Sequence, residues 1–83
     1  MTTPDWLARR GGELRPGPLG AIWYVYFDNE PQYAVTPVPV AGKHGCRVTQ
    51  TINGKTMDGG SGYASQAEAI QSGLETVRKA LGW

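Results

Sequence analysis

His44 and Cys46 stand two apart in "GKHGCR" and are the chain's one imidazole and one thiol. A thiolate nucleophile needs a base and a third group to orient it. His44 and a carboxylate such as Asp58 would fill those roles, because residues i and i+2 of an extended segment share a face. The surrounding pattern points elsewhere. Cys46 falls in register with the apolar Val48 and Ile52 and reads as a small buried hydrophobe, so no catalytic residue is assigned. One Cys and one His fall short of the four ligands of a structural zinc site, and no metal is expected. The glycine-rich "MDGGSGYAS" has neither a following Lys-Ser/Thr nor a preceding βαβ unit, so it reads as a turn and not as a phosphate loop. The seven Asp and Glu residues are scattered, with no spacing that suggests a hydrolytic carboxylate pair. The chain is therefore expected to be non-enzymatic and to need no cofactor.

Composition narrows the remaining choices. Eighty-three residues make one domain, since so short a chain buries only about 60–65 % of its unfolded surface and cannot divide its core. Hydrophobic content of 40 % with three Trp, four Tyr and one Phe suffices for folding, and 18 % charged residues argues against disorder. A net charge of +1 leaves little long-range field to draw nucleic acid or an anionic membrane. No stretch approaches a membrane span, the start "MTTPDWLARR" has no apolar signal region, and the single cysteine cannot form an internal disulfide. A cytoplasmic location and no membrane partner are the resulting expectations.

The elements that must position any site follow from local pattern. "TPDWLARRGG" reads as a short helical turn with Thr3 as N-cap, Pro4 at the first position, Asp5 at the positive end and Gly11 as the stop, offering Trp6 and Leu7 for burial. "ELRPGPLG" is a turn, with Glu13 to Arg15 as a short edge strand before it. Arg9, Arg10 and Arg15 read as a solvated terminus in preference to a basic arm, because Asp5 and Glu13 dilute the charge.

"AIWYVYF" predicts a central strand over Ala21 to Phe27, with Ile22, Tyr24 and Tyr26 on one face and Ala21, Trp23, Val25 and Phe27 on the other. A second strand runs from Gln32 to Thr36 and meets Pro37 and Pro39, which belong at an edge because they cannot donate to a ladder. "CRVTQTINGKTM" predicts a hairpin with a type I′ turn at Asn53-Gly54, Cys46, Val48 and Ile52 pointing inward. "DGGSG" is a flexible connection. Ser65 and Glu68 form a capping box, and Ile70, Leu74, Val77 and Leu81 give the helix over residues 65–81 one apolar stripe. Gly73 lies within that stripe, where close approach to the sheet accounts for it. Gly82 stops the helix, and Trp83 is expected to fold back onto the last turn in a Schellman motif.

The order of strands and final helix resembles AP2-type DNA-binding domains over roughly residues 45–81. "GYASQAEA" carries the likeness: aromatic Tyr63, hydroxyl cap Ser65, then Glu68 and Ala69 at the helix start. In that family Arg and Trp side chains on the open sheet face read DNA, and the resemblance places Arg47, Thr49 and Thr51 there, of which Arg47 alone keeps the chemistry. The layout also looks like small uncharacterised bacterial domains with a β-meander and a final helix, a likeness that implies no activity.

The expected fold is thus α+β: a three- to four-stranded antiparallel sheet, a C-terminal helix on one face and a short N-terminal helical turn. With Trp23, Val25, Val48 and Ile52 under the helix, the other face carries Tyr24, Tyr26, Arg47, Thr49, Thr51 and Thr56. Three covers are open for it: the N-terminal turn through Trp6 and Leu7, a protein partner or second copy, and nucleic acid. The leading functional expectation is a protein-interaction module using this face or the edge at Pro37 and Pro39. Nucleic-acid binding is the alternative.

Overall fold

The computed structural model describes residues 2–18 and 22–83. Two helices and five strands follow one another as α1 (Asp5–Ala8), β1 (Gly12–Pro16), β2 (Trp23–Phe27), β3 (Glu30–Val40), β4 (Lys43–Gln50), β5 (Thr56–Asp58) and α2 (Gln66–Leu81). The strands form one antiparallel meander in chain order, each hydrogen-bonded to the next. The α+β layout is as expected, but the sheet has five strands and not three or four. The short Glu13–Arg15 segment is a full edge strand, and Thr56–Asp58 adds the other edge. The predicted start of β2 at Ala21 lies outside the described residues.

Both tight hairpins are built from consecutive residues with positive φ. Asp28 and Asn29 have φ of 54° and 63°, Ala41 and Gly42 of 47° and 78°, and each pair closes a two-residue loop between Phe27 and Glu30 or Val40 and Lys43. That is the backbone twist of type I′ turns. Asn53-Gly54 does not make the expected one. Only Gly54 has positive φ there, and β4 and β5 are joined by a longer loop closed by Gln50 N–H to Lys55 O at 2.8 Å. Since β4 ends at Gln50, the alternation stops before Ile52, which is 81 % exposed and not part of the core.

One face of the sheet carries the core. Leu14, Val25, Tyr33, Val35, Cys46 and Val48 are buried against Ala69, Ile70, Gly73, Leu74 and Val77 of α2, which crosses β3 and β4. The helix begins as predicted: Ser65 Oγ accepts from Glu68 N–H at 3.2 Å, while the Glu68 carboxylate reaches Ala64 N–H. It ends with Gly82 at φ 77°, Gly82 N–H on Lys79 O and Trp83 N–H on Arg78 O, the paired bonds of a Schellman motif.

Trp83 stacks edge-on against Trp6 and Phe27, with the Arg10 guanidinium 4.8 Å from its ring centre. Thr3 does not cap α1. Pro4 holds that position, and Thr3 Oγ1 instead accepts the edge-facing N–H of Leu14 at 3.1 Å.

The glycine run after β5 is held closely and is not a loose linker. Cys46 exchanges backbone bonds with Gly59 and Gly60, and His44 does so with Tyr63. A Cβ on Gly59 would stand 2.9 Å from Cys46 O, so glycine is needed for this approach. Ser72 on α2 donates to Gly59 O and receives the Tyr63 hydroxyl at 2.6 Å, fastening the run to the helix.

Candidate interaction face

Both helices lie on the same side of the sheet. Leu7 of α1 is fully buried, and Trp6 packs beside it on the core side. The N-terminal turn therefore does not cover the tyrosine-bearing face. Tyr24 and Tyr26 alternate with buried Val25 and so point away from α2, half-buried among their neighbours.

Register defines the open face row by row. Arg15, Tyr24, Ala34, Thr49 and Thr56 are successive cross-strand partners from β1 to β5. One row along, Glu13 pairs with Tyr26 and Tyr26 with Pro31. On the other side, Thr36 pairs with Arg47 and Arg47 with Asp58. In the Arg15–Thr56 row, side chains are long on β1 and β2 and short on β3 to β5, while in the next row Arg47 of β4 stands out beside Thr36 and Asp58. A hollow of about 340 Å³ opens between Val38, Arg47, Asp58 and Ser61.

Five of the six expected face residues thus come together: Tyr24, Tyr26, Arg47, Thr49 and Thr56. Thr51 falls past the end of β4, and its hydroxyl is taken by Pro31 O, tying the loop to the start of β3. Arg15 belongs to the face although the charge pattern placed it in a solvated terminus, and Glu13 lies on the face beside it. The Arg15 guanidinium lies 4.4 Å from the Tyr26 ring centre, 2.7 Å from Glu13 Oε2 and 3.3 Å from Asn29 Oδ1. The ion pair lowers the Glu13 carboxyl and raises the Arg15 guanidinium from their ordinary values. The polar-apolar-polar order of Glu13, Leu14 and Arg15 was the signal for their common direction.

Pro37 and Pro39 pair with Cys46 and His44, beyond Val35, the last β3 residue that pairs with β2. The N–H groups of His44 and Cys46 go to Tyr63 and Gly60 on the far side. The backbone groups of Pro37 and Pro39 therefore face the edge that, among the described residues, β2 leaves open. That edge presents carbonyls without N–H donors, which blunts it against strand addition.

Cys46 is 4 % exposed. Burial, with a smaller contribution from Asp58, pushes its thiol from the ordinary 9.0 to about 11, the opposite of nucleophile activation. The unfolded chain ionises first, so this group's stabilisation is complete below pH 9.0 and is lost as pH rises through about 11. Native protein at pH 8 is expected to resist alkylation by iodoacetamide while urea-unfolded protein reacts, and urea midpoints are expected to fall above pH 9. Equal labelling of both forms would contradict the assignment. Among the described residues no three His, Cys, Asp or Glu side chains cluster as metal ligands, and no helix is long and apolar enough to cross a membrane.

No protein-family model matches this chain, and no curated protein or solved structure matches it at a significant level.

Proposed function

We propose that the chain is a protein-interaction module without catalytic activity, docking its partner on the open sheet face. The observation that supports this is the placement of Tyr24 and Tyr26, beside Arg15 and Arg47, on the face to which neither helix packs. Tyrosine and arginine are the residues that carry binding energy at interfaces, because each offers broad contact area together with hydrogen bonds. The blunted edge at Pro37 and Pro39 suits a peripheral contact better than an added strand.

Affinity capture with wild type and with a Tyr24→Ala, Tyr26→Ala variant tests the reading. Partners are expected to be lost by roughly tenfold or more in the variant, while a change on the solvent side of α2, Gln71→Ala, leaves them. A folded variant that captures the same partners equally well removes the proposal.

Nucleic acid is the second reading, favoured by Arg47 exposed in the same face as the two tyrosines and by the AP2-type resemblance. It requires bases to stack on the rings and binding to weaken with salt. Against it, Arg15 covers one side of Tyr26 and is paired with Glu13, while Asp58 stands opposite Arg47. A fluorescence titration with single- and double-stranded oligonucleotides at low salt separates the two readings. No change is expected, and salt-sensitive binding lost in Arg47→Ala would establish the second.

A further inference from the structure

The open face is shaped and charged to fit itself, and we infer that its partner is a second copy of this chain, docked face to face about a two-fold axis that runs along β3. This rests on the proposed interaction face and names what occupies it.

The row from Arg15 through Tyr24, Ala34 and Thr49 to Thr56 descends from long side chains to short ones. A two-fold along the central strand lays β1 and β2 of one copy over β5 and β4 of the other. Tyr24 then stands over the second copy's Thr49, and Tyr26 over the region of its Thr51, so in these two rows the long side chains of each sheet meet the short ones of its mate, with Arg47 one row further along. Ala34 sits at the axis, where two small side chains let the sheets close to about the 10 Å spacing of stacked sheets.

Charge signs agree with the same operator. Arg15 lands over the second copy's Thr56, two residues from Asp58 and nearer to it than to the Arg47 that Asp58 pairs with, and Glu13 lands on the side where Lys55 leads into β5. Each contact occurs twice, as a two-fold requires. With a net charge of +1, two copies repel one another little.

Five strands about 4.8 Å apart and about five residues long give a footprint of roughly 400 Å², below the roughly 800 Å² per partner of standard interfaces. The dimer is therefore weak and concentration-dependent, with a Kd on the order of micromolar or higher.

Sedimentation equilibrium from about 1 μM to 1 mM at low salt is expected to show a reversible monomer–dimer system. Ala34→Arg, and independently Thr49→Arg, place a long charged side chain at or beside the axis and are expected to weaken dimerisation by roughly 100-fold, with folding checked by circular dichroism. Asp58→Arg and Arg15→Asp are each expected to weaken it by roughly 10-fold, and the double exchange to restore it. Gln71→Arg on α2 leaves the dimer intact.

A wild-type monomer throughout overturns self-pairing yet leaves partner capture by Tyr24 and Tyr26 to be decided separately. A dimer insensitive to both Ala34→Arg and Thr49→Arg also overturns it, since the contact then lies elsewhere.

Discussion

Leu7→Ala is expected to remove about 2–5 kcal/mol of folding stability, a large share of the roughly 4–12 kcal/mol available to a chain of this length. The residue belongs to a helix of only four residues, too short to hold itself together. Its side chain is nevertheless fully buried, packed so closely on β1 that a Cβ at Gly12 would overlap its methyl carbon.

Removing Leu7 should do more than leave a cavity. Trp6, which shares α1, meets Trp83 at 6.4 Å between ring centres, and the Arg78 guanidinium lies 5.8 Å from the Trp6 ring centre. Losing the Leu7 anchor frees this aromatic cluster together with α1. The melting temperature should fall by at least about 8 °C, and tryptophan fluorescence should shift toward that of exposed indole. A melt within about 2 °C of wild type would mean that the N-terminal turn is not part of the cooperative fold.

Gly73→Val is the second large effect, expected to cost about 3 kcal/mol in urea unfolding. At an exposed helix position, replacing glycine gains helix stability by as much as about 1 kcal/mol with Ala. Here the first added carbon already overlaps Cys46 Sγ and comes within 2.7 Å of Val35 Cγ1. The helix would have to lift from β3 and β4, loosening Leu74 and Val77 as it did so. Because the thiol is the nearest obstacle, Cys46→Ala in the same chain should recover part of the loss, and the two substitutions should be non-additive. Simple additivity would show that the helix approach is not limited at Cys46.

Much of this was legible in local sequence. The helix carries its own start in Ser65 and Glu68, its stripe in Ile70, Leu74 and Val77, and its stop in Gly82 followed by a packed Trp83. Each rests on residues within one or two turns of one another, where spacing alone sets geometry. The two faces of β2 are equally local, since alternation follows from strand pleating.

Other features depended on residues far apart in the chain. Where alternation ends is set by pairing: β4 stops at Gln50, so Ile52 and Thr51 leave the positions that period two assigned them. The type I′ turns fall at Asp28-Asn29 and Ala41-Gly42, because strand register selected those loops over Asn53-Gly54.

Sequence by itself determined the two faces of β2 and the helix that would cover one of them. Tertiary structure decided which face the N-terminal turn joins. Leu7 and Trp6 find Leu14, Phe27 and Trp83 on the core side, where burial of apolar surface is continuous with α2. Hydrophobic association is non-directional and favours the site that removes most apolar surface from water. No spacing within "TPDWLARRGG" records where that site lies, and its choice left Tyr24 and Tyr26 facing outward with Arg15 drawn across Tyr26.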